Sequence, residues 1–219
     1  MESSLRIIMA ATMLMFCFLS MNKIEATTPK PIKSKANTNT VNKMNEGKTL
    51  IVYFSKTGQN YPDLNLKIGN TAVIANYIQQ YTGGTLFEIV PAKPYPNNYI
   101  KCTEVAKEEK NSNARPEMKN ELKNLDKYDI IFLGTPIWWS TFPMVYQTFF
   151  DKYNLNGKIL IPFCTHEGSG MGTTVSDLKK RFPKAEVRQG IAIQGIRVSN
   201  AQSEINNWLD NLGLKKSNE

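Results

Sequence analysis

The chain is poor in the side chains from which most metal and acid–base sites are built. It has one histidine, His166, and three cysteines in 219 residues. Cys17 lies in an N-terminal apolar run, and neither Cys102 nor Cys164 has the C-x-x-C spacing of a redox or metal centre. No metal site is expected. One remaining cysteine pair is not a disulfide framework, and Cys164, inside ILIPFC, has the setting of a buried inert thiol. A lone histidine without a partner carboxylate is a weak general acid or base, and a loop histidine bonded to backbone is the plainer reading. His166 is the only catalytic candidate. Long apolar runs are missing too. The longest, Ile7 to Ser20, is too short and poorly flanked for a spanning helix.

Acidic residues are outnumbered, 19 against 27 basic ones, for a net charge of +8. Half of that excess sits in residues 27–48, where five lysines face Glu46 alone. Residues 1–26 balance to zero, so +4 remains for residues 49–219. No basic run with interleaved aromatics accompanies it, and nucleic-acid binding is not expected. Several motifs are absent. The first strand is not followed by GxGxxG, and no acidic residue closes the next strand at the ribose position, so a tightly held NAD is not expected. GSGMGTT lacks the lysine of a phosphate-binding P-loop. Ser169 has Glu167 and Met171 where a nucleophile elbow needs glycines.

Arg6 followed by the short apolar run resembles a secretory signal, with cleavage expected after Ala26. That implies export, with membrane contact only if the segment stays as an uncleaved anchor. Residues 27–48 are proline, asparagine, threonine and lysine with almost no large apolar side chain. Such a stretch cannot offset its ordering entropy and is expected to be a flexible linker. Residues 49–219 form the expected domain.

There, strand-like and helix-like segments alternate. TLIVYFS, TLFEIV, YDIIFLGTP, KILIPFCT and AEVRQGIAI are the expected strands, most of them continuous apolar runs of the kind buried on both faces. NTAVIANYIQQY, PMVYQTFFDKY, GTTVSDLKKRF and AQSEINNWLDNLG are the expected helices. Two more short helices are expected around Ile100–Lys110 and Pro116–Asn124. The alternation implies an α/β doubly wound three-layer sandwich with a five-stranded parallel sheet.

Ligands in such folds sit beyond the carboxyl ends of the strands. Three loops belong there. In the first, Ser55, Thr57 and Gly58 at the strand end and Asn70 and Thr71 at the helix start form a candidate anion nest; the plainer alternative is a helix N-cap at Asn70 or Thr71. In the second, Pro136, Ile137, Trp138 and Trp139 follow the third strand. Adjacent tryptophans on an extended backbone cannot both point inward, so at least one is a candidate platform for a flat ring. In the third, Thr165, His166, Gly168, Ser169 and Gly170 combine small residues with amides able to bond a heterocycle's edge.

IVYFSKTG continued by GNTAVIANYI resembles the phosphate loop of the flavodoxin family, and LGTPIWW and PFCTHEGSGMG resemble the ring-side loops of its oxidoreductase branch. The resemblance implies strand order 2-1-3-4-5, FMN as cofactor, the residues just named as its binders, and electron transfer as function. The partner would be a redox protein or a small electron acceptor such as a quinone. A flavin-free binding module on the same fold is the further alternative. Here the phosphate loop is split by Gln59–Gly69. That insert either folds over the site, with Tyr61-Pro62-Asp63 as a turn beside the cofactor, or is a surface excursion.

Overall fold

The computed structural model describes residues 48–214. The expected export signal and the linker up to Gly47 lie outside the described residues. Among the described residues no helix is long and apolar enough to cross a membrane.

The first strand, β1 (Thr49–Tyr53), sets the layering. Leu50 and Val52, with Phe54 just beyond, join one core cluster, while Ile51 and Tyr53 join another on the opposite face. The same alternation recurs in β5 (Ile130–Pro136), where Ile130 and Phe132 face one way and Ile131 and Leu133 the other. Alternate side chains leave a strand on opposite faces, so a wholly apolar strand needs a helical layer on each side. Helix α1 (Asn70–Thr82) covers the first face through Ile74, Ala75, Ile78 and Tyr81, beside α5 (Gln202–Asn211) with Ile205, Trp208 and Leu209. Helix α3 (Val145–Lys152) covers the second through Tyr146, Phe149 and Phe150, beside α4 (Thr174–Arg181) with Leu178.

The sheet runs β4 (Thr85–Glu88), β1, β5, β6 (Ile159–His166), then an edge made of β7 (Glu186–Val187) and β8 (Ile191–Gln194), all pairs parallel. This is the expected 2-1-3-4-5 order. The expected fifth strand is broken in two. Glu186 and Arg188 donate to the carbonyls of Lys158 and Leu160, both 2.9 Å, so the even-numbered residues of β6 face the edge. The next of them is Pro162, which has no N–H to give. Pairing resumes only after Gly190, whose α-carbon passes so close that an added Cβ would stand 2.4 Å from Pro162 O.

Two further segments are shaped by pairing that the strand–helix alternation does not show. The Gln59–Gly69 insert holds a two-stranded hairpin, β2 (Gly58–Asn60) paired with β3 (Leu64–Leu66), with its turn at Tyr61–Asp63. The helix expected at Pro116–Asn124 does not form. Its backbone instead lies along residues 88–92: Ala92 N–H donates to Glu117 O at 2.8 Å and Lys119 N–H to Val90 O at 2.7 Å. Asn120 adds side-chain bonds to Val90 N–H and Glu88 O, and Met118 and Leu122 pack against the core. Bonds to a distant segment outweigh the modest helical propensity of this stretch. The other expected helix is α2 (Tyr99–Asn111), opened by Asn98, whose side chain accepts from Lys101 N–H at 3.0 Å.

The sheet's centre is tightly filled. Tyr146 is wholly buried, and its hydroxyl donates toward Gly134 O at 2.7 Å and Val52 O at 3.2 Å. A Cβ on Gly134 would stand 2.0 Å from the ring of Phe163. Gly134→Ala is therefore expected to cost about 1–3 kcal/mol in urea unfolding. Phe163→Leu added to that variant should recover part of the loss, which marks the clash as the cause.

Candidate functional site

At the end of β1 the chain turns at Ser55, leaves through the hairpin, and returns at Gly69 to start α1. Ser55 Oγ accepts the N–H of Ala72 at 3.0 Å. Gly69 runs so close that an added Cβ would meet Ser55 Oγ at 2.2 Å and Lys56 O at 2.6 Å. Val73 N–H goes to Gly69 O. Of the first-turn amides of α1, those of Asn70 and Thr71 have no protein acceptor among the described residues. The hairpin is clipped to the loop before α2. Gln59 N–H donates to Asn97 Oδ1 at 3.2 Å, Gly58 (φ +75°) leaves no room for a Cβ beside that same oxygen, and Asn98 Nδ2 donates to Gln59 Oε1. The ammonium of Lys56 donates to the carbonyls of Thr57 (3.0 Å), Gln59 (2.8 Å) and Asn97 (3.3 Å). Burial lowers its pKa.

Thr71, in the first turn of α1, and Thr165, near the end of β6, are both buried and share a hydroxyl hydrogen bond of 2.9 Å. After β5 the backbone makes a two-residue turn, not an extended run. Trp138 and Thr141 exchange backbone bonds of 3.0 and 3.1 Å, and Trp139 and Ser140 both take positive φ, +49° and +71°. Such turns demand left-handed backbone at both central positions and ordinarily recruit asparagine or glycine. The start of α4 fastens this one, through Thr173 N–H to Ser140 O at 2.7 Å. The turn sends the two tryptophans different ways. Trp138 packs edge-on to Phe54 and Tyr95, at ring centroids 5.4 and 4.9 Å. Trp139 stays 44% exposed and lies against α2, its indole N–H donating to Thr103 O at 3.0 Å and the Lys107 ammonium 5.3 Å from its ring centre. His166 Nδ1 accepts Gly168 N–H at 2.9 Å. A neutral ring so bonded carries its proton on Nε2.

These elements enclose a cleft of about 530 Å³ at the carboxyl ends of the parallel strands, within the range typical of small-molecule sites. Of the candidate residues, Asn70, Thr71, Pro136, Ile137, Trp138, Trp139, Thr165 and His166 line it. Ser55, Thr57, Gly58, Gly168, Ser169 and Gly170 do not. Ser55 is spent on the start of α1, and Gly58 is pressed against Asn97. Thr57 faces solvent. The glycine loop turns away, with Gly170 O accepting from the Cys164 thiol at 3.3 Å. The rest of the wall comes from residues not among those candidates: Lys56 of the strand-end loop, Asn60 and Tyr61 of the insert, and Tyr99, Cys102, Thr103 and Ala106 of α2. Cys102 and Ala106 are the buried residues of α2, and neither belongs to the two main cores. That small apolar pair four residues apart was the available signal. Glu167 and Gly195 complete the lining.

The flavodoxin family profile matches residues 48–212. The chain belongs to the flavodoxin family. A candidate flavoprotein of Bacteroides eggerthii DSM 20697, known from its crystal structure, is 31% identical over 77% of this chain and 99% of its own, with a TM-score of 0.61. Another from Bacteroides uniformis ATCC 8492 is 29% identical over 75% and 98%, with a TM-score of 0.60. A flavoprotein of Lactobacillus acidophilus NCFM in complex with FMN shares the fold at 21% identity over 72% and 99%, with a TM-score of 0.54. No curated protein matches the chain.

FMN is the cofactor that flavodoxin membership implies, and the residues present fit it. The unpaired amides of Asn70 and Thr71 open one side of the cleft to an anion, as helix starts do, while the turn carrying Trp139 and the Tyr61–Tyr99 pair, 6.1 Å between ring centres, offer aromatic walls. Cys102 and Cys164 are free thiols, pushed up to about 11 and about 12, chiefly by burial. At pH 8 a thiol of pKa 11 is roughly one-thousandth thiolate, and the thiolate is the reactive form. Alkylation followed peptide by peptide should therefore leave both largely unmodified in the native protein and label both rapidly in guanidinium chloride.

Proposed function

We propose that this protein binds FMN in the cleft and acts in electron transfer. The observation that carries the reading is the meeting, in one cleft, of an open helix start at Asn70–Thr71 and aromatic walls at Trp139 and Tyr61–Tyr99. FMN, when bound, supplies the redox chemistry, and the protein supplies position, exclusion of water and electrostatics. The amides of Asn70 and Thr71 would take the phosphate. Pro136, Ile137 and Trp139 would flank the ring system. His166, with Nδ1 engaged by Gly168, holds a proton on Nε2 at the cleft wall and can donate it to a ligand. The N-terminal segment supports placement outside the cytoplasm.

A second reading, reduction of a flat electrophile such as a quinone, is favoured by the rim. The six large apolar side chains exposed among the described residues are Tyr61, Ile68, Tyr99, Ile100, Trp139 and Ile196. Three line the cleft. The exposed apolar surface that Tyr61, Tyr99 and Trp139 bring to the cleft marks a contact site for a substrate or partner.

Titration of FMN into the purified protein is expected to quench flavin fluorescence and shift the visible band, and Trp139→Ala should weaken binding by about tenfold, the scale of one aromatic contact. Absence of binding by FMN, riboflavin and FAD would overturn the reading. In the loaded protein, turnover of a quinone without a second protein would favour the reductase; reduction without turnover would favour the carrier.

A further inference from the structure

The side-chain hydroxyls that the motif assigns to a phosphate are paired within the protein or lie off the cleft. Ser55 Oγ accepts from Ala72, Thr71 Oγ1 is paired with Thr165 Oγ1, and Thr57 lies off the cleft. What the cleft does hold is a fixed cation. Lys56 lines it, clamped through its ammonium by the carbonyls of Thr57, Gln59 and Asn97. Among the described residues Lys56 forms no ion pair with a carboxylate. The acidic group on the same cleft, Glu167, is turned toward Gln194 Nε2 and Gly195. A charge drawn partly out of water without a counter-ion is costly, and carbonyl dipoles hold such a charge in place without neutralising it. It stands in the same cleft as the positive end of α1, whose first two residues also line the wall.

We infer that Lys56 is the residue that selects a phosphorylated flavin over its dephosphorylated form. The inference rests on the FMN reading above and concerns how the anion is recognised. The amides of Asn70 and Thr71 supply the hydrogen bonds, and Lys56, with its own hydrogens given to carbonyls, supplies the charge. At a partly buried site a unit charge several ångströms from a phosphate still contributes strongly, and salt weakens it.

The test compares FMN with riboflavin by fluorescence titration of the full chain at low and high salt, in the wild type, Lys56→Gln and Lys56→Arg. Glutamine keeps a donor for the carbonyls without the charge; arginine keeps the charge. The wild type should prefer FMN by about tenfold or more, with the preference shrinking in salt. Lys56→Gln should lose most of that preference and its salt dependence while its riboflavin affinity holds, and Lys56→Arg should retain both. Equal weakening of FMN and riboflavin in Lys56→Gln would make Lys56 a structural clip only and overturn the inference. So would an undiminished preference in Lys56→Gln, or a wild type indifferent to the phosphate. A wild type that binds neither flavin would overturn the FMN reading itself, an outcome distinct from all of these.

Discussion

The contact of Gly69 with Ser55 and Lys56 is the constraint on which the site depends. It seats the start of α1 on the end of β1 although the chain between them has made an excursion. A side chain at position 69 would push the helix off the strand and carry Asn70 and Thr71 away from the cleft. The excursion is tolerated because it closes on itself: β2 and β3 pair, so the chain leaves and returns at nearly the same point. The entropic cost of a longer loop grows only slowly with its length. The bonds to Asn97 and Asn98 then turn a surface loop into a wall of the cleft.

The cleft is assembled from parts that each carry some conformational cost. Trp139 and Ser140 hold left-handed backbone that ordinary residues enter at about 1–2 kcal/mol each. Lys110, whose ammonium reaches Trp139 O, the Trp139 indole bond to Thr103 and the Thr173 bond to Ser140 together determine that turn from two helices. Lys56 is a cation kept from full hydration, and the raised pKa values of Tyr95 and Glu109 reflect burial first, with the Tyr95 hydroxyl donating to Glu109 at 2.7 Å. That pair braces Tyr95 against Trp138. The left-handed backbone at Trp139 and Ser140 and the unpaired charge of Lys56 thus stand at the carboxyl end of the strands, where binding sites keep such features.

Much of this was legible because it is local. Continuous apolar runs at Leu50–Phe54, Ile130–Leu133 and Ile159–Phe163, short and rich in β-branched and aromatic residues, read as strands covered on both faces. The spacing of Ile74, Ala75 and Ile78 can only be a helix lying on such a sheet. Strand alternation with helices forces parallel pairing, and parallel pairing puts the loops after β1, β5 and β6 at one end. The divergence of Trp138 and Trp139 could be expected, but the turn that produces it could not.

What the tertiary structure decided is which polar groups are already spent. Nothing in SKTG or GNT tells that Ser55 will cap α1 or that Thr71 will pair with Thr165, because those partners lie 17 and 94 residues away. Residues 116–124 carry a passable helical pattern and lose it to backbone bonds with residues 88–92. Tyr61, Tyr99 and Cys102 enter the site only because an inserted hairpin and α2 close over it. Periodicity encodes which face of an element is apolar, so layers and order could be read from one chain. Hydrogen-bond partners are chosen among groups brought together by folding, so the chemistry of the cleft could not.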